Sequence, residues 1–172
     1  MEPLSGQEGA ARLTGMISPK HQVHAFALDL TAKQIYALDP SGKVDFGGTE
    51  YAPSARTAVA SLRRDKEDKY EWWDLSRGCY VLEFNEGLRL LENEIALLEP
   101  DDRLLRCGAM HSTIFLRGQG ERLEVLLFVG TMSVQIKQNA RVSRVRIFRF
   151  GAPPAAAAGA REKAAAKPRA RR

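Results

Sequence analysis

The sequence predicts an all-β domain, a sandwich or distorted barrel with little helix, and three observations predict it. Between Gly78 and Phe150, short apolar runs alternate with polar residues at the two-residue period of half-buried strands. The runs are cut by turn signals, among them Asn85-Glu86-Gly87 and Pro100-Asp101-Asp102. The segments so marked number about eight to ten, enough to close a sheet or pair two of them.

Residues 1–20 form a mixed, Gly-containing N-terminal segment, with one short helix expected around Gly9–Leu13. His21–Leu38 reads as two strands, about 24–30 and 33–38, with a kink near Thr31–Lys33, because the alternation changes parity there. Asp39-Pro40-Ser41-Gly42 is a turn by composition: Asp opens it, Pro fixes φ and Gly closes it. Residues 49–71 are largely charged and show no apolar face, so a solvated loop or short exposed helix is expected. Trp72 and Trp73 are adjacent on a strand and point to opposite sides, which suits one for burial and the other for capping an interface, the plain reading being that both are packing residues. Further strands are expected at Tyr80–Phe84, Gly87–Leu91, Glu94–Glu99 and Ser112–Gly118. Val125–Val129 (VLLFV) is apolar at every position and reads as a central strand buried on both faces. Ser133–Lys137 and Arg144–Phe148 alternate strictly, as half-exposed strands do, with Asn139-Ala140 as the turn between them.

The net charge of +5 does not describe the domain. Residues 151–172 hold six Lys/Arg against one Glu, so residues 1–150 are neutral. A basic total is therefore no argument that the domain binds nucleic acid. The tail, with ten alanines and three prolines but no large apolar residue, is expected to be disordered and to offer at most a weak, salt-sensitive contact to polyanions. No run approaches a membrane span, and the N-terminus lacks the basic start and apolar stretch of a secretory signal. Cys79 and Cys107 are not at ligand spacing and read as two free core thiols of a reducing cytoplasm.

Several segments, in order, resemble the dUTPase and dCTP deaminase superfamily, in particular its archaeal-type dUTPase-like members. Gln22–Thr31 (QVHAFALDLT) is similar to the first motif, with its Gln, small-residue kink and Asp-Leu pair. Leu98–Ala109 (LEPDDRLLRCGA) lies where the family has Pro-Arg-Ser-Ser-Leu-Leu-Arg-x-Gly-Ala. Thr113–Val129 lies where it has a strand, Trp-Asp-Pro-Gly-Tyr, a turn and a second strand. Asn139–Phe148 (NARVSRVRIF) resembles the closing strand, usually Gly/Asn-Ala-Arg-Ile-x-Gln-hydrophobic. The resemblance covers about residues 20–150. It implies a β-clip, a distorted all-β barrel of residues 21–150, assembled as a homotrimer with sites between subunits. It implies a deoxynucleoside triphosphate substrate accompanied by Mg²⁺, with dUTP split to dUMP and diphosphate. The same resemblance leaves open a catalytically inactive homologue that binds a nucleotide or protein partner, and a dCTP deaminase.

The departures from the pattern fall on the chemistry. Arg-Ser-Ser becomes Asp101-Asp102-Arg103. A carboxylate about 4 Å from a phosphate oxygen is repelled by about 1 kcal/mol in water and several-fold more when partly buried. A bridging Mg²⁺ reverses that sign, which makes Asp101 and Asp102 candidate metal ligands. The water-activating Asp of the third motif falls on Leu116, which cannot accept a proton, and its Tyr falls on Gln119. Asp29 matches the first-motif Asp and Glu124 a position carrying Glu in many members, so these two are the catalytic candidates. The plain readings beside them are a strand-end Asp satisfied by backbone donors and a Glu facing solvent. Arg106 matches the second-motif Arg and, with Arg103, Gln119 and the neighbouring His111, makes up the substrate-binding candidates. For Arg106 the plain reading is an interface ion pair, and for His111 a hydrogen-bonded structural histidine.

Overall fold

A computed structural model describes residues 1–39 and 41–151. Its elements run β1 (Glu2–Pro3), α1 (Gly6–Ala10), β2 (Leu13–Thr14), α2 (Pro19–Gln22), β3 (Leu28–Leu38), β4 (Arg56–Ala58), β5 (Trp72–Phe84) and β6 (Gly87–Arg89). They continue with β7 (Glu94–Pro100), α3 (Asp102–Arg106), β8 (Ala109–His111), β9 (Ile114–Leu116), β10 (Gln119–Gly120), β11 (Glu124–Lys137) and β12 (Arg141–Arg149). The fold is all-β, as expected. One curled antiparallel sheet follows the order β8-β11-β5-β3-β12-β7-β9, with β1 added to β12 and β4 to β3, and β10-β6-β2 form a small second sheet.

The pivot is β3. Its first half, Leu28–Thr31, pairs with β12, and its second half, Ala32–Ala37, pairs with β5. Both ladders carry a bulge at the changeover, between Arg141 and Ser143 and between Ala32 and Gln34. The kink expected near Thr31–Lys33 is thus a change of partner inside one strand rather than a gap between two. Residues 24–27 lie in a tight turn, where the His24 amide donates to the Ala27 carbonyl. Asn85 fastens the changeover: its side-chain amide donates to Thr31 Oγ1, the Ala32 carbonyl and Asn139 Oδ1. Asn139 takes a positive φ of 62°, which Asn tolerates better than most residues, and its amide donates to the Ala32 carbonyl.

The curl encloses one core. Leu28, Leu30, Ile35, Trp73, Leu75, Leu82, Phe84, Leu98 and Leu127 are almost completely buried in it. Each such side chain contributes about 1.5–3 kcal/mol. One tryptophan, Trp73, is buried as expected, and half-buried Trp72 lies under Arg64 and Lys137 of the same chain. The strands at 133–137 and 144–148 alternate as expected.

Other expectations fail. VLLFV is buried on one face only: Val125, Leu127 and Val129 point inward, while Leu126 and Phe128 are 56% and 47% exposed. An apolar run reports hydrophobicity but not which face a second layer covers. Both cysteines are exposed rather than in the core. The N-terminal helix lies earlier than expected, because Ser5 and Glu8 form a capping box that starts it at Gly6. Residues 49–71 are mostly exposed loop, the first of the two forms expected, with the short edge strand β4 added. The tail expectation and part of the Asp39–Gly42 turn fall outside the described residues.

Candidate functional site

The local sequence builds the site where β3, β12 and α3 meet. Asp29 stands directly opposite Arg144 in the β3–β12 ladder. Asp101 follows β7 and caps α3, accepting the Arg103 amide at 3.0 Å. The helix is one turn long because Gly108 follows its end at φ 83°; a Cβ there would meet Thr131 Cγ2 at 2.2 Å. Arg144 lies between the two aspartates. Its Nε donates to Asp29 Oδ1 and its Nη2 to Asp101 Oδ2, both at 3.1 Å. Asp29 Oδ2 also takes Arg141 Nη1 at 3.3 Å and His24 Nε2 at 2.9 Å. Asp101 Oδ1 takes Arg103 Nε at 3.1 Å.

The side chains of Asp29 and Asp101 are 0% and 4% exposed, and Arg103, Arg141, Arg144 and His24 lie over them, each at least a third exposed or nearly so. Solvent therefore meets a cationic rim above a carboxylate floor. Hydrogen bonds from Arg103 and its positive charge, with that of Arg144, outweigh burial and hold the Asp101 carboxyl below the usual range. The repulsion expected of Asp101 toward phosphate is not built, because its carboxylate faces inward.

Beside the rim, a cleft of about 370 Å³ opens between α3, the end of β11 and the start of β12. Arg103, Lys137, Arg141, Trp72 and Asn139 line it, with no carboxylate among the lining side chains. Its size lies within the range of small-molecule sites, and its chemistry suits an anion with an apolar or aromatic part.

The remaining candidates are dispersed. Asp102 points away from Asp101, pairing with Arg106 at 2.7 Å where the two side chains are 69% and 79% exposed. Nor do the described residues contain any group of three or more His, Cys, Asp or Glu able to hold a metal. Asp101 is taken up by two guanidinium groups and Asp102 turns away from it to Arg106, so this pair does not fit a resident Mg²⁺. Gln119 is exposed on β10, opposite Arg89, and Leu116 is half-buried on β9, opposite Ala96. His111 is buried: Nδ1 donates to the Ser112 carbonyl at 2.9 Å and Nε2 meets Ser143 Oγ at 2.8 Å. Burial lowers its pKa, which favours the neutral ring.

Glu124 belongs to a different group on the outer face of the sheet. Both its oxygens bind Arg56, at 2.6 and 2.8 Å. Its cross-strand neighbour Glu83 binds Lys33, Tyr36 and Arg122. Hydrogen bonding to Arg56 is the main cause that lowers the Glu124 pKa. That makes it a poor proton acceptor as it stands.

Sequence reasoning missed Arg144, Arg141 and His24. A signal was present. Asp101 stands where the second motif carries Arg, and Arg144 stands where the closing strand carries Gln. These two departures are one ion pair in the fold.

No family model matches the chain. It is 29% identical over 143 residues to a probable deoxyuridine 5'-triphosphate nucleotidohydrolase of Methanosarcina barkeri, covering 81% of this chain and 80% of that one. It is 24% identical to the deoxyuridine 5'-triphosphate nucleotidohydrolase of Methanocaldococcus jannaschii, covering 73% and 78%. Its fold is similar to that of the 2'-deoxycytidine 5'-triphosphate deaminase of Agrobacterium tumefaciens, with a TM-score of 0.64 at 15% identity. That match takes in 87% of this chain, which spans about half (49%) of the deaminase. The ordered motifs, the curled β-fold and these relatives agree: in sequence the chain is similar to archaeal deoxyuridine 5'-triphosphate nucleotidohydrolases, and in fold to a 2'-deoxycytidine 5'-triphosphate deaminase.

Proposed function

We propose that the protein hydrolyses dUTP to dUMP and diphosphate. The observation that carries the proposal is the cationic rim of Arg103, Arg141 and Arg144 above Asp29 and Asp101, opening onto an acid-free cleft. A triphosphate is a compact polyanion, and fixed guanidinium groups are the donors that recognise it and stabilise charge on its oxygens. The archaeal relatives, matched over about four-fifths of the chain in the first case, carry that activity in their names. Trp72 offers the cleft a flat wall for a base, and Asn139 and Gln135 offer amide groups. Mg²⁺ enters this reading with the triphosphate, whose charge it offsets, and not as an ion resident on Asp101 and Asp102.

The assembly is a homotrimer in this reading. Support comes from an apolar row on the outer sheet face, where exposed Met110 and Phe128 are cross-strand neighbours and Leu126 follows on the same face. Light scattering on the purified protein measures the mass directly, and a monomer at working concentration counts against a site shared between subunits. The activity is tested by incubating the protein with Mg²⁺ and dUTP, dCTP, dTTP or dATP separately and following diphosphate and ammonia. Diphosphate from dUTP is the expected result. Ammonia from dCTP moves the protein to the deaminases, and silence with all four overturns the hydrolase reading.

A further inference from the structure

Hydrolysis of a phosphoanhydride by water needs a group that takes the water's proton as the new P–O bond forms. At the rim, the two carboxylates are unsuited to this. Asp29 and Asp101 lie buried beneath guanidinium groups. His24 differs from both. It sits in the tight turn before β3, its side chain 41% exposed, with Nε2 held 2.9 Å from Asp29 Oδ2. A carboxylate between two guanidinium groups accepts and does not donate, so Nε2 carries the hydrogen. The lone pair of the neutral ring then lies on Nδ1, which makes no hydrogen bond with any described residue. The backbone fixes the ring's position: the His24 amide donates to the Ala27 carbonyl, and the next residue's carbonyl accepts the Gly6 amide. Arg141 reaches the same Asp29 oxygen as His24, which places the imidazole beside a phosphate-binding guanidinium.

We propose that His24 is the general base of this site, with Asp29 as the positioning residue that fixes its tautomer and orientation. This rests on the hydrolase reading above. A water attacks one phosphorus of the bound triphosphate, and its oxygen forms the new P–O bond. The bond from that phosphorus to the bridging oxygen breaks, and diphosphate leaves with the electron pair. His24 Nδ1 takes the water's proton and returns it to solvent. The charged groups around the ring are Asp29 on β3 and Arg141 and Arg144 on β12, while His21 on α2 is turned to Ser18.

The test uses the full chain with Mg²⁺ and dUTP. His24→Gln is expected to lower kcat by about 10²–10⁴-fold with KM changed far less, and to abolish the ascending limb of the pH–rate profile. His24→Ala is expected to regain part of the lost rate with added imidazole, which a structural role would not allow. Asp29→Asn, checked for folding by circular dichroism, is expected to lower kcat and displace the same limb. Nitrogen NMR of the wild-type ring is expected to report hydrogen on Nε2 and a free Nδ1. An active protein whose rate and pH limb are unchanged in His24→Gln overturns the role of His24 and leaves the hydrolase reading standing. A folded wild type that releases no diphosphate overturns the hydrolase reading and the His24 role together.

Discussion

Two buried carboxylates meet at β3, Asp29 within the strand and Glu86 packed against it, and the protein satisfies them in opposite ways. Asp29 is held by charge, with Arg141, Arg144 and His24 around it. Glu86 is held by neutral donors. Its Oε1 takes Gln22 Nε2 and Thr31 Oγ1, both at 2.7 Å, and its Oε2 takes the Thr31 amide at 2.8 Å. No cation reaches it among the described residues, and burial is the leading cause that raises its pKa. The difference separates two jobs. Glu86 ties α2, β3 and the turn after β5 into one knot that no solute can enter. Around Asp29 the same burial is achieved with groups that themselves reach solvent.

The strongest test of that contrast removes the central cation. Arg144→Met keeps an aliphatic stem but leaves Asp29 and Asp101 facing each other in a buried space. Two charge-assisted hydrogen bonds are lost, but Arg141 and His24 still hold Asp29 and Arg103 still holds Asp101, so the cost stays below that of an uncompensated buried charge, at about 2–3 kcal/mol. Chemical denaturation at neutral pH is expected to show a loss of that size, with dUTP hydrolysis lost as well. A loss below about 1 kcal/mol would mean that water already neutralises the aspartates and that the floor is not sealed.

The Glu86 knot predicts a smaller effect with a distinctive pH dependence. Its folded pKa is raised above its unfolded value, so the folded state binds the proton more tightly. Stability from this group is full below the ordinary glutamate range and falls as pH rises through the raised value. Thr31→Val removes one donor to the charged form. It is expected to cost about 1–2 kcal/mol on the high-pH side of that titration, where the charged carboxylate takes all three donors, and less on the low-pH side. Equal costs at low and high pH would show that Glu86 stays protonated throughout. The opposite sign belongs to Glu94, held by Arg12 and Arg149 at a pKa of about 2. Its contribution is present above the ordinary glutamate pKa and is lost only as pH falls toward about 2.

The same contrast explains what the sequence could reveal. Alternation and turn residues exposed the strands, because those signals are local. The order of four short motifs exposed the fold, since each marks a fixed place in the chain. The direction of Asp101 was hidden. Read as a motif position it looked like an anion facing phosphate, and only the helix cap turns it inward. Its partner Arg144 lies 43 residues away in the chain and meets it only after β7 and β12 pair. His24 was hidden for a related reason, because the expected strand at 24–30 would have sent its ring along an extended backbone instead of folding it back over Asp29. One-sided burial of VLLFV was illegible in principle, because the covering of a face is decided by other segments.

Glu124 gives the smallest expected effect and the sharpest limit on where the chemistry lies. Its pair with Arg56 is about a third exposed on both sides, the setting in which ion pairs contribute about 0.2–1 kcal/mol. Glu124→Gln is therefore expected to shift stability by less than about 1 kcal/mol. If the Asp29 rim does the work within each chain, hydrolysis of dUTP should change less than about tenfold, far less than in His24→Gln. A larger loss from a stably folded Glu124→Gln protein would mean that assembly carries this carboxylate to the site of another copy, drawing Arg56 off it. Mixing that variant with inactive His24→Gln protein then decides the matter. Activity restored in mixed oligomers would place Glu124 and His24 in one site built from two chains, and activity that stays lost would keep them in one.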